Sequence, residues 1–248
     1  MKTWILACKA ELLKMKKSSF IWIHLAVPIL GALVVACYYS MSNFSPMDKF
    51  TMYVVLVGSA FPTMIAIVSA MLLEPEEETA FRWLLMAPHR SVYFGAKLLF
   101  LNLFGAAASV LSLVFAVVFR IYTIPVSLFW KLLLLLLLSN ILLYAIHSWL
   151  FLQFGKSISV FLGVCGTIVS MIFLTGLGDG LWKWIPCSMA ARGMNLLVFL
   201  NSTVSMEEEM AYRIDFSGLY PICIVEIGMV LILLFLWLSR WEGRKVYE

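Results

Sequence analysis

Long apolar runs separated by short polar stretches make up this chain. Six runs are long enough to cross a bilayer, at approximately 19–40, 52–73, 97–119, 131–153, 158–177 and 218–239. A spanning helix needs about 20 mostly apolar residues. Lipid offers the backbone no hydrogen-bond partner, so each run is predicted to be helical. Strand-type alternation is absent, and Leu132 to Leu138 is an unbroken leucine run. A different pattern precedes the first span. On a helical wheel Trp4, Ile5, Cys8, Leu12 and Met15 share a sector about 100° wide, with Lys2, Lys9 and Lys16 beside or opposite it. This predicts an amphipathic elbow helix lying along the inner membrane surface, its lysines near anionic headgroups. A simple basic topology anchor is the alternative. Glu11 and Leu6 do not fit the amphipathic scheme.

The polar stretch between the second and third runs reads EPEEETAFRWLLMAPHR at 74–90. Pro75 suits the first turn of a helix, where a missing N–H has no partner in any case. Glu76, Glu77 and Glu78 would then occupy the positive end of the helix dipole. Glu78 and Arg82 form an i,i+4 pair in the favourable order, and Pro88 stops the helix. A short cytosolic helix over roughly 75–87 is predicted. Its apolar residues form two faces, Phe81, Leu84 and Leu85 on one and Trp83 and Met86 nearly opposite. A surface helix resting on its own domain needs only one apolar face. Two faces suggest a helix held between the membrane domain and a partner; a solvated interfacial loop is the alternative.

Composition agrees with a membrane protein. The 248 residues are 63% hydrophobic and 13% charged, where soluble domains carry about 25% charged residues. The 18 Lys and Arg residues orient the spans. With the N-terminus inside, 12 of them fall on the cytoplasmic side and 6 outside. Both termini are therefore placed in the cytosol, and the first span is expected to remain uncleaved. The five cysteines form no CxxC, so neither a disulfide framework nor a zinc site is expected, a Cys187–Cys223 pair being the one conceivable bridge.

Other chemistries find little support. Gly155-Lys156-Ser157 ends like a P-loop, but position 150 is Leu where GxxxxGK[ST] needs Gly. Any ATP hydrolysis must come from another polypeptide. His24, His89 and His147 are far apart and make no HExxH, and no GxSxG is present. No catalytic residue, metal site or nucleic-acid partner is expected.

Polar residues inside spans are costly and need a reason. Glu226 in the sixth run either meets a cationic substrate, bonds a neighbouring helix, or sits protonated against protein. Asn102, Asn140 and His147 read as interhelical hydrogen-bonding residues. Ser159, Gly163, Gly166 and Ser170 give the fifth run small residues at close-packing intervals, for contact within the chain or with a second membrane subunit. The segment from about 178 to 217 is the longest outer connection. Trp182 and Trp184 suit a membrane interface. MNLLVFL at 194–200 is too short to span and can only dip into the outer leaflet under cover of other helices. Glu207, Glu208 and Glu209 form an outer acidic patch, either solvated or gathering cationic ligands.

The order of a basic amphipathic start (KAELLKMKKS), two spans, EPEEETAFRWLLMAPHRSVYFGAK and four further spans resembles the permease subunit of an ABC-2 type transporter. The stretch LTGLGDGLW at 174–182 resembles the lantibiotic-immunity branch, of LanE/LanG and MutG-like type. The resemblance implies one all-α transmembrane domain over 1–248 in the bacterial cytoplasmic membrane. It implies cytosolic ABC ATPase subunits carrying ATP-Mg, a second permease (a sister subunit or a second copy), and export of an amphiphilic peptide from the membrane. It further implies that Glu76, Glu77, Glu78, Phe81, Arg82, Trp83 and Leu84 belong to a coupling helix gripped by the ATPase. Trp182, Trp184 and Glu226 are the candidates for substrate contact. A non-transporting six-span assembly or sensory partner protein is the rival reading.

Overall fold

A computed structural model describes residues 2–16, 18–87, 89–202 and 205–244. Ten α-helices and two short 3-10 turns account for the architecture, with no strand among the described residues. The helices are α1 (Lys2–Lys16), α2 (Phe20–Ser40), α3 (Pro46–Glu78), α4 (Arg82–Met86), α5 (Arg90–Val118), α6 (Val126–Phe154), α7 (Lys156–Ile172), α8 (Pro186–Phe199), α9 (Met206–Phe216) and α10 (Leu219–Arg240). Four of them, α2, α3, α5 and α6, are long and apolar enough to cross a membrane, as is the segment Met206–Arg240 that contains α10. The fifth predicted run forms α7, which is apolar but only 17 residues long.

Helix α3 is the hub, packed against α6, α7 and α8, while α2 leans on α5 and α10 on α6. Close approach of α3 to α8 depends on Gly58, where an added Cβ would lie 2.7 Å from the Ala191 Cα and backbone nitrogen. The small residues of α7 also serve packing within the chain. A Cβ on Gly163 would come within 2.9 Å of the Pro62 carbonyl oxygen. Thr63 bonds Thr167 at 2.8 Å and the Gly163 carbonyl at 3.2 Å. Asn140 donates to Ser109 at 3.0 Å and His147 Nδ1 lies 3.3 Å from the Ser159 hydroxyl, both between helices. Asn102 instead donates to Leu98 on its own helix.

The apolar core divides into two clusters. One gathers Phe20, Phe81, Leu84, Phe94, Phe151 and Trp241 around the end where α3 meets α4. The other gathers Tyr53, Leu132, Trp182, Met189 and Cys223 toward the opposite end. The apolar stretch at 194–200 belongs to α8, which starts at Pro186 and buries Met189, Ala190, Ala191, Met194, Leu196, Leu197 and Val198. Neighbouring helices thus cover a whole 14-residue helix, eight residues longer upstream than the apolar run shows. The cysteines among the described residues are all free, Cys187 and Cys223 included.

Of the sector predicted on α1, Met15 is buried while Trp4, Ile5 and Leu12 are exposed. Ala7, Glu11 and Met15 are buried, one residue per turn, while Trp4, Ile5, Leu6, Leu12 and Leu13 are exposed. The side chains of Lys2 and Lys16, together with Lys17, Pro88 and Lys245, lie outside the described residues.

Candidate functional site

The predicted 75–87 helix exists in two pieces. Pro75 lies inside α3, which continues to Glu78. Ala80 N–H bonds the Glu77 carbonyl and Phe81 N–H reaches back to Glu76, the 6→1 pattern of a Schellman cap. Ala80 and Phe81 adopt left-handed backbone, φ 51° and 55°, without a glycine. Helix α4 begins only at Arg82. Glu76, Glu77 and Glu78 therefore occupy the last turn of α3, at the negative pole of its dipole and not the positive one. The Glu78–Arg82 pair does not form, because the turn falls between them; both side chains are exposed.

Carboxylates at a helix C-terminus need cations, and the structure supplies them. Glu76 is 3% exposed and accepts from Lys97 Nζ at 2.9 Å and Lys14 Nζ at 2.7 Å. Glu11 accepts from the same two lysines, at 2.7 Å from Lys97 and 3.1 Å from Lys14. Two acids and two bases close a neutral ring joining α1, α3 and α5. Burial works to lower the pKa of Lys14, and its contacts with Glu76 and Glu11 outweigh that, holding it above its ordinary 10.5. Glu77 pairs with Arg244, which also donates to the Phe151 carbonyl at 3.3 Å. Glu74 pairs with Lys156 at 2.8 Å in the exposed turn after α6. Gly155 opens that turn with φ 92° beneath the Arg244 guanidinium, a place for glycine alone.

Helix α4 rests on this base. Phe81 and Leu84 are buried, Phe81 meeting Trp241 edge to face with ring centres 5.1 Å apart. Arg90 donates to the Leu85 carbonyl at 3.2 Å and to the Trp241 carbonyl at 2.7 Å, tying α4 to the end of α10. The opposite face carries Trp83, 73% exposed, and Met86, 81% exposed. A short helix thus has one face locked into the protein and a tryptophan and a methionine presented outward.

Residues 7–174 match the family of ABC-2 family transporter proteins. The match covers more than half of the chain, from within α1 to just beyond α7. The chain belongs to the ABC-2 transporter family. This ABC-2 permease is accordingly a multi-pass membrane protein and a transport subunit, and permeases of the family typically work with ATPase subunits. No curated protein and no solved structure matches it. The Glu76–Leu84 segment lies within the matched region of the permease; Trp182, Trp184 and Glu226 lie beyond it.

Those three residues are not brought together as a surface. Trp182 is fully buried, and its indole N–H donates to Asp215 at 2.9 Å. The Arg192 guanidinium stands 5.6 Å over its ring, bonds Asp215 at 3.1 Å and pairs with Asp179. Trp182 thus anchors the segment between α7 and α10, its ring enclosed by the protein. Trp184 is 59% exposed and keeps a free ring. Glu226 is 9% exposed and leaves its Oε2 without a hydrogen-bond partner. In the acidic patch, Glu208 completes a capping box with Ser205, and Glu209 binds Arg213 at 2.6 Å. Much of that negative charge is spent locally on starting α9. Lys97 is one of the 18 basic residues that the sequence offers only for orientation; the signal available was Glu11, an acid that does not fit an amphipathic helix.

Proposed function

We propose that this permease is half of a bacterial exporter that clears lantibiotic-type antimicrobial peptides from the cytoplasmic membrane, giving self-immunity or resistance. The observation supporting an ATPase partner is α4, whose Trp83 and Met86 project away from a face fixed by Phe81, Leu84 and Arg90. An aromatic side chain displayed on a braced helix suits a central interface anchor. The α4 end then faces the cytosol, where ATP-Mg is bound and hydrolysed by the separate subunit. A push on α4 is delivered to α3 through the Ala80–Phe81 turn, to α5 through Arg90 and to α10 through Trp241, so three long helices respond together. A second permease, sister or copy, completes the pathway, and the whole of 1–248 acts as one transmembrane domain of six passes.

The substrate assignment rests on LTGLGDGLW at 174–182. An ABC-2 exporter of another hydrophobic substrate is the second reading, favoured by the burial of Trp182, which withdraws an aromatic ring from any peptide. A test pairs Trp83→Ala with peptide resistance and ATPase copurification. Truncating a central tryptophan costs about 2 kcal/mol or more of binding, a roughly thirtyfold loss of affinity. Membrane insertion should stay normal while ATPase capture and resistance fall together. Full ATPase capture by Trp83→Ala would refute the anchor. Loss of capture in a permease whose deletion leaves peptide sensitivity unchanged would refute the peptide and keep the transporter.

A further inference from the structure

Four helices end close together in this permease: α3 at Glu78, α4 at Met86, α6 at Phe154 and α10 at Arg240. The open carbonyls at the ends of the three long ones carry about half a negative charge each, before any carboxylate is counted. Two arginines answer them. Arg90 donates to the Leu85 carbonyl of α4 and to the Trp241 carbonyl just after α10. Arg244 donates to the Phe151 carbonyl of α6 at 3.3 Å and pairs with Glu77 in the last turn of α3. The four residues 241–244 therefore meet every one of these helix ends. Trp241 is buried, edge-on to Phe81 and 5.4 Å from the Trp237 ring. Gly243, at φ 97°, lets the backbone turn inward, and a Cβ there would stand 3.1 Å from Leu85 of α4. Arg244 then reaches over Gly155, which has no side chain to obstruct it.

We propose that residues 241–244 form a strap that sets the position of α4 and joins it mechanically to α6, with Arg244 as the positioning residue. Helix α4 has five residues, too few to hold a helix unaided, and it packs on α3 and α5. The strap adds the ends of α6 and α10 to its supports. Arg244 suits the task because a planar guanidinium carries diverging N–H groups that serve a carbonyl and a carboxylate together, whereas a lysine offers a point charge. Without Arg244 the strap keeps its Trp241 anchor but loses its far attachment, and the ends of α3 and α6 lose a shared donor. Helix α6 packs against α3, α5, α7, α8 and α10, so a displacement of α4 that reaches α6 reaches most of the bundle. That consequence rests on the reading of α4 as the ATPase docking helix; the positioning of α4 does not.

Hydrogen exchange read by mass spectrometry on the full-length permease in phosphatidylcholine nanodiscs tests the strap. Arg244→Gln should speed exchange about tenfold or more, the loss of a hydrogen bond to a charged group, both at residues 80–86 and in the α6–α7 turn at 152–158. Arg244→Lys should speed it less. Exchange in α8 and the unfolding temperature should stay at wild-type values, which separates positioning from a general loss of stability. Unchanged exchange at 80–86 in Arg244→Gln overturns the strap, and so does an equal rise in α8. The link to α6 is read in the complex with the copurified ATPase subunit. ATP-Mg trapped with vanadate should alter exchange at 80–86 and at 152–158 in wild type, and at 80–86 alone in Arg244→Gln. A response at 152–158 that survives Arg244→Gln overturns the link. Failure of the wild type to capture any ATPase subunit refutes the docking reading of α4, and exchange in the permease alone then decides the strap.

Discussion

Lys97 shows how a single side chain can be misread. By position it is one more basic residue at a span boundary, yet it is 2% exposed and holds two carboxylates. Removing one member of a buried ion network leaves the others unpaired, at a cost of about 3–5 kcal/mol. Lys97→Met should therefore markedly lower the unfolding temperature in detergent, whereas Lys156→Met, at an exposed pair, should change it little. The pH dependence has a definite sign. The Lys14 pKa is raised, so its contribution is whole below about 10.5 and fades only as pH rises past its folded value. Lys14 therefore gives the ring no pH dependence in the neutral range. Trp182 is enclosed in a way its neighbours in sequence do not announce. Its place beside Trp184 suggested an interfacial ring, but Asp179, Arg192 and Asp215, scattered over 37 positions, enclose it. Trp182→Ala should cost about 3–5 kcal/mol through the cavity it leaves and Trp184→Ala well under 1 kcal/mol, a contrast readable by thermal unfolding. Loss of transport in Trp182→Ala would then report a collapsed connection between α7 and α10.

At the scale of elements, the long apolar runs were legible because lipid permits only helices, and length with hydropathy reveals them. Boundaries inside polar stretches were not. Pro75 carries a helix-start signal, but Leu72, Leu73 and Glu76 are buried on one side of α3 and carry that helix past it. The stop is made by Ala80 and Phe81 in left-handed backbone, where no glycine announces it. Helix α8 was only partly visible, since PCSMAARG is not apolar; its small residues are there for contact with α3. Gly58 is the test of that contact. Its Cβ would press on the Ala191 backbone at 2.7 Å, and backbone cannot swing aside. Gly58→Ala should destabilise by about 1–3 kcal/mol despite alanine's better helix propensity. The control is Gly31→Ala, facing open space, which should be neutral or slightly stabilising. Equal melting of the two variants would show that α3 and α8 are not packed this closely.

The order of ends along the whole molecule bears on how many times the chain crosses the membrane. The α4 end collects the start of α5, the end of α6 and the end of α10: Arg90 bonds the Trp241 carbonyl and Arg244 the Phe151 carbonyl. The start of α10 lies at the other end, where Tyr220 reaches the Lys131 carbonyl at 3.5 Å and Leu219 joins the opposite core cluster. Between Phe154 and Leu219 the chain must change ends. Helix α7 runs that way, about 25 Å long at 1.5 Å per residue, held along α3 by Thr63 and Thr167. A helix a few ångströms short of the hydrocarbon thickness is tolerated by local thinning. Glu78 and Glu207, both exposed, therefore test the proposed sixth pass. In intact cells, Glu207→Cys should gain label from a membrane-impermeant maleimide over the wild-type cysteine background. Glu78→Cys should gain it only after permeabilisation. If α7 turned back without crossing, α9 would stay on the α4 side and both positions would label alike, and the six-pass arrangement would fall together with the cytosolic placement of Trp83.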